Sequence, residues 1–147
     1  MYLRLTKQLK YLLLLGLLII TLTSVIVHSA SIYESEKARF RVVSLVSGLV
    51  HPWSLAFLPG GDLLITERPG RLRVVRLGHL LEVPIAGVPV VAAVGQGGLL
   101  DVVLHPDFAT NRLLCLSYSR RDSAGSGTAI ICAELVGDRL INSQVIF

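Results

Sequence analysis

The sequence predicts an all-β body behind an N-terminal hydrophobic helix, and three observations carry that expectation. Short apolar runs rich in β-branched residues recur from Phe40 to the C-terminus. Clusters of Pro, Gly, Asp and Ser separate these runs. After residue 30 no apolar pattern at helical spacing appears.

The elements follow in order. Residues 1–10 carry Arg4, Lys7 and Lys10 and no acid, and residues 11–27 are mostly apolar. Cations, an apolar run and then the small residues Ser29, Ala30 and Ser31 are the layout of a secretory signal. As a helix the run would be about 25 Å long, which is long for a signal and short for a full span. Residues 1–30 therefore read as a signal peptide or a retained membrane anchor through residues 11–27. In both cases the cations stay inside and the body is exported, to a periplasmic or extracellular space. The polar stretch 31–39 reads as a linker.

From Phe40 on, the pattern is strand and turn. Strands are expected at 40–46, 53–59, 62–68 and 71–77. The fourth alternates Arg71 and Arg73 with Leu72 and Val74, so one of its faces should be wet. Residues 83–98, rich in Pro and Gly, read as a long loop. The run LLDVVLH (99–105) is almost continuously apolar and should be buried on both faces. Strands at 112–119, 128–135 and 141–147 complete the set, the first two joined by a polar Gly-Ser turn.

Two stretches share one plan. SLAFLPGGDLLITE (54–67) and DVVLHPDFATNRLLCLSY (101–118) each run a strand into a proline turn and a second apolar strand back, with Pro59 and Pro106 47 residues apart. A period of about 40–50 residues with four short strands per unit suits propeller blades. The pattern alone is equally compatible with a β-sandwich.

The net charge is +4, but residues 31–147 hold 11 basic and 10 acidic side chains. The excess belongs to the leader, which argues against a nucleic-acid partner. Cys115 and Cys132 lie on strands that could face each other across the turn at 120–127. An exported chain permits a disulfide. The simpler expectation is two small buried hydrophobes. With no histidine pattern around them they do not make a zinc site.

The segments HPWSLAFLPGGDLLITERPGRLRVV (51–75), PIAGVP (84–89), GQGGLLDVVLHPDFATNR (95–112) and LSYS (116–119) occur in this order. Together they resemble the N-terminal part of the soluble quinoprotein sugar dehydrogenases, the glucose/sorbosone dehydrogenase family that includes the aldose sugar dehydrogenases. The resemblance implies a six-bladed β-propeller, of which residues 40–147 would form about one to two blades. It implies pyrroloquinoline quinone (PQQ) and calcium as cofactors of the complete protein, and oxidation of an aldose at its anomeric carbon to the lactone. It also implies a role for Gln96, because the corresponding glutamine of the family belongs to the substrate pocket. A carboxamide offers both a donor and an acceptor to a sugar hydroxyl. Gly95, Gly97 and Gly98 would let the backbone turn sharply and a ligand approach. The competing structural role for Gln96 is to tie down its own loop.

Other candidates read as structural. His105 sits at the far end of the 99–105 strand, and Asp107 after it reads as a turn residue bonding backbone amides. His51 reads as a satisfied histidine beside a core Trp53. Asp101 would need a partner if buried. Glu67 and Arg68 read as a cross-strand pair or as solvated. The family's catalytic base, a histidine, is expected beyond Phe147, as are its PQQ contacts and calcium ligands. The 147 residues are thus expected to be a fragment, inactive alone, in which strand 40–46 lacks the last blade it would pair with. The alternative is a non-catalytic propeller that serves as a binding module.

Overall fold

The structure is a computed structural model that describes residues 32–123 and 125–147. The expected leader at 1–30 and its apolar stretch 11–27 lie outside the described residues. Among the described residues no helix is long and apolar enough to cross a membrane. The chain divides into two units, one up to Val43 and the other Ser44–Phe147.

In the first unit β1 (Ile32–Glu34) pairs antiparallel with β2 (Arg39–Arg41). Ser35 closes the turn, its Oγ accepting the Ala38 amide at 3.1 Å. The rings of Tyr33 and Phe40 stack at 5.7 Å. The expected linker at 31–39 therefore contains a strand, and the expected strand 40–46 shrinks to the end of this hairpin. β-branched composition at 42–43 did not suffice, because among the described residues no neighbouring strand pairs with residues 42–49.

The second unit holds two four-stranded antiparallel meanders. The first is β3 (Pro52–Phe57), β4 (Leu63–Glu67), β5 (Arg71–Arg76) and β6 (His79–Leu80), in that spatial order. The second is β7 (Leu99–Leu104), β8 (Leu113–Asp122), β9 (Gly125–Val136) and β10 (Arg139–Val145), again in sequence order. Consecutive hairpins of four strands are the unit from which propellers are built. The one helix of the described residues, α1 (Phe108–Asn111), is a single turn between β7 and β8. Four residues are too few to leave a helical period in the sequence.

The core lies between the sheets. Leu64 and Leu72 from the first meet Leu99, Leu114 and Leu116 from the second, all fully buried. Each such side chain contributes about 1.5–3 kcal/mol by leaving water. Polar contacts fix the register of this packing. Thr66 donates its hydroxyl to the Leu100 carbonyl at 2.5 Å and accepts the Ser54 amide at 3.0 Å. Ser54 Oγ donates to the Asp101 carboxylate, although Asp101 is exposed and the expected burial does not arise in the described residues. Residues of the long loop join the sheets at their other side. Ile85 donates to the Leu72 carbonyl at 2.8 Å, and Ala86 exchanges bonds with Asp138 and Leu140. Gly87 (φ 84°) follows, where any Cβ would fall on the Leu140 carbonyl oxygen.

Two expectations about burial are corrected. β7 is covered on one face: Leu99 and Val102 are buried, whereas Val103 is exposed. A single sheet packs on it in the described residues, so an apolar run did not require two buried faces. Likewise Trp53, Leu55 and Phe57 alternate along the open face of β3 and are all exposed. Trp53 therefore lies outside the core of the described residues.

Cys115 and Cys132 are directly opposite each other in the β8–β9 register and form a disulfide. The expectation of two unlinked hydrophobes is corrected by this register, which sequence separation alone does not specify.

Candidate functional site

The candidate site lies where β4 ends, β7 begins, and β8 passes into β9. It is built from one hairpin turn and one loop. Gly70 (φ 108°) lets the chain reverse between β4 and β5, with its amide on the Glu67 carbonyl at 2.9 Å. That reversal brings Arg71 and Arg73 back over Glu67. The Glu67 side chain is fully buried. Its carboxylate accepts Arg71 Nε at 2.5 Å and the Val50 amide at 2.6 Å, and lies 3.5 Å from Arg73 Nη1. Burial opposes the charge, but the hydrogen bonds from Arg71 and Val50 and the charges of Arg71 and Arg73 outweigh it. The carboxyl is held below its ordinary value. Arg73 also donates to the Leu81 carbonyl at 2.8 Å. The alternation expected for β5 holds, with Leu72 and Val74 buried and Arg71 and Arg73 part-exposed, and the two arginines face the buried Glu67 carboxylate.

Arg68 stands next to Glu67 and is not its ion-pair partner. Its guanidinium Nη1 donates to the Gly95 carbonyl and reaches the Gly97 carbonyl at 3.4 Å. Its backbone amide donates to the His51 carbonyl, and its carbonyl accepts the Leu99 amide, each at 3.0 Å. Arg68 therefore links the 48–51 segment, the first meander and the loop that leads into β7.

That loop ends in a tight turn. The Gly97 amide donates to the Val94 carbonyl at 2.9 Å, with Gly95 (φ 58°) and Gln96 between them. Gly98 (φ 146°) lies so close to the first meander that a Cβ there would fall on the Arg68 carbonyl oxygen. Gln96 itself is exposed, and its carboxamide has no hydrogen bond among the described residues. The loop is fixed by Arg68 and by backbone bonds, so tying it down is not what Gln96 does. Beside the turn opens a cavity of about 350 Å³ whose polar wall is Ser119, Arg121, Ser126 and Thr128.

His51 belongs to this end of the molecule through its carbonyl. Its φ is 48°, unusual outside glycine, and its exposed ring makes no hydrogen bond among the described residues. The expectation of a satisfied histidine beside a core tryptophan does not hold. His105 lies at the opposite end of β7, where Nδ1 accepts the Asp107 amide at 3.0 Å and faces Asn111 Nδ2 at 2.9 Å. It is structural, as the sequence suggested. Asp107 acts through its main chain: its carbonyl accepts the Thr110 and Asn111 amides, while its carboxylate makes no capping bond. The residue that sequence reasoning undervalued is Arg68. Its signal was an acid and three arginines within seven residues around a Pro-Gly turn.

The family model for Glucose / Sorbosone dehydrogenase matches residues 49–147. The chain belongs to the glucose/sorbosone dehydrogenase family. It is similar to the aldose sugar dehydrogenase YliI of Escherichia coli, with 50% identity over 69% of this chain and 28% of that one. Among solved structures, a glucose dehydrogenase superposes with a TM-score of 0.67 at 53% identity, over 71% of this chain and 32% of that chain. A PQQ-bound aldose sugar dehydrogenase from Streptomyces coelicolor superposes at 0.62 with 26% identity, over 81% of this chain and 34% of that chain. The chain spans about a third of the length of the curated relatives it matches, 31% and 28% for two of them.

One of these structural neighbours is a PQQ-bound enzyme, and the described residues can be weighed against such a cofactor and a metal ion. No group of three or more His, Cys, Asp or Glu side chains among them could hold a metal ion. PQQ is a tricarboxylate and calls for several cations. Around this turn Arg68 is spent on carbonyls, Arg71 and Arg73 on Glu67, and Arg120 on Asp122 at 3.1 Å. Arg121 remains, and one cation does not make a quinone site. What the described residues do offer is an exposed carboxamide on a turn whose neighbouring cavity is walled by three hydroxyls and the Arg121 guanidinium.

Proposed function

We propose that this chain is the N-terminal portion of an exported quinoprotein that oxidises aldose sugars to lactones, with PQQ and calcium held by residues beyond it. In this reading the two meanders are the first blades of a six-bladed propeller. Family membership and the PQQ-bound neighbour support the reaction class. The Cys115–Cys132 disulfide supports an oxidising compartment. The chemistry removes two electrons and two protons from the anomeric C–OH of the sugar, and the quinone is the electron acceptor.

The observation that carries a sugar-side role for this chain is the state of Gln96. An exposed amide with one acceptor and two donors unused, on a backbone fixed from behind, is available to meet hydroxyl groups. The cavity beside the turn, which Gly97 lines and Gln96 does not, adds the hydroxyls of Ser119, Ser126 and Thr128 and the Arg121 guanidinium as further groups able to meet a sugar. These residues bind and orient; the proton-accepting base is assigned to a histidine outside this chain.

The test is product analysis on the protein expressed from its full reading frame. Reconstitution with PQQ and calcium should convert glucose or another aldose to its lactone with reduction of an added dye, and omission of PQQ should abolish turnover. A protein that neither binds PQQ nor oxidises an aldose would favour a non-catalytic binding module.

A further inference from the structure

We infer that Arg68 is a positioning residue for Gln96, so that the first meander sets the affinity of the second for sugar. The inference rests on the sugar-binding reading of Gln96 given above.

The geometry is specific to the residues flanking Gln96. One guanidinium nitrogen reaches the carbonyls of Gly95 and Gly97, the residues immediately before and after it. A peptide carbonyl fixed on each side fixes the plane of the turn between them, and with it the direction in which Gln96 leaves the backbone. Apart from that anchor, the residues flanking Gln96 are held, among the described residues, by backbone bonds alone, Gly97 to Val94 and Ser119 to Gly98. Gly95, Gly97 and Gly98 have the widest conformational freedom of any residue, and no side chain of Gln96 bonds back to the loop.

Arg68 is in turn held rigidly. Its amide and carbonyl bond to His51 and Leu99, and its neighbour Glu67 is locked in the buried cluster with Arg71 and Val50. Gly98 has no room for a Cβ against the Arg68 carbonyl, so the loop cannot retreat from the anchor without losing backbone contact. Both contacts come from the one terminal nitrogen Nη1, which the arginine stem carries to the turn, and a lysine ammonium on its shorter, more flexible stem holds that position less firmly.

Two readouts test this on the protein from its full reading frame. The first does not depend on activity. Arg68→Ala should raise amide hydrogen exchange at Gly97 at least tenfold while the β8–β9 amides keep their protection. Unchanged exchange at Gly97 would overturn the inference whatever the enzyme does. The second is a double-mutant cycle on KM for an aldose. Arg68→Ala should raise KM about tenfold with kcat nearly unchanged, and should add little to Gln96→Ala, because both act on one contact. Arg68→Lys, which keeps the charge and the stem, should fall between Arg68→Ala and wild type, and it guards against a folding defect in the alanine variant. Fully additive effects of Arg68→Ala and Gln96→Ala would overturn the inference. If the wild-type protein oxidises no aldose but Gly97 exchange rises as expected, the positioning role stands and the sugar reading of Gln96 fails.

Discussion

The buried carboxylate of Glu67 accepts the backbone amide of Val50 at 2.6 Å, across 17 residues of sequence. This bond holds the segment before β3 against the β4–β5 hairpin, at the same end of the molecule as the Gln96 turn. It carries an expectation about acid stability. Because the Glu67 carboxyl is held below its ordinary value, it adds stability at pH above the unfolded carboxylate range, and that contribution is lost as pH falls through the folded value. The protein should therefore destabilise below about pH 4.5. Glu67→Gln should cost about 3 kcal/mol at neutral pH and flatten the acid limb, as read by denaturant titrations at several pH values. An acid limb unchanged in the variant would mean that other carboxylates control it.

The disulfide gives a second expectation. Cys115 and Cys132 close a loop with a sequence separation of 17. Reduction, or Cys115→Ser with Cys132→Ser, should lower stability by about 3 kcal/mol. Thermal melts with and without reductant check the shift. A thiol titration of the unfolded, unreduced protein should find no free sulfhydryl, and two free thiols would refute the pairing.

Glycine contacts give a third. Gly87→Ala should cost more than about 2 kcal/mol, since it meets the Leu140 carbonyl at a positive φ. Gly60→Ala, with no atom near its added carbon and no positive φ, should change stability by less than about 0.5 kcal/mol. Equal effects at the two sites would contradict the close packing of the long loop against β10.

Thr66 gives a fourth. It is fully buried and its hydroxyl bridges Ser54 and Leu100. Thr66→Val keeps the shape and removes the bridge, leaving the Ser54 amide without its acceptor. A loss of about 1–3 kcal/mol in denaturant stability is expected. A neutral result would show that the two meanders hold their register without it.

Much of this architecture was legible in the sequence for a physical reason. β4, β5, β8 and β9 alternate or run apolar between Pro-Gly and Gly-Ser turns, and both signals are local. The two-residue β6 and the single-turn α1 are too short to carry a period. The β1–β2 hairpin depends on a Ser35 turn and a Tyr33–Phe40 stack, within a stretch whose composition reads as polar linker. Site legibility divides in the same way. Gln96 drew attention because three glycines surround it, and its proposed role came from the family resemblance. Arg68 did not, because its partners are backbone carbonyls 27 and 29 residues away, which no residue type announces. The disulfide depended on register, which spacing alone left open.

The most direct test of the account is the steady-state kinetics of Gln96→Ala beside the wild type, with the full reading frame reconstituted with PQQ and calcium and glucose or another aldose as substrate. The account predicts that kcat/KM falls about tenfold or more, chiefly through KM, with the fold and its melting temperature unchanged. Equal kcat/KM in the two proteins would contradict it, and would place the sugar away from the turn that Arg68 holds.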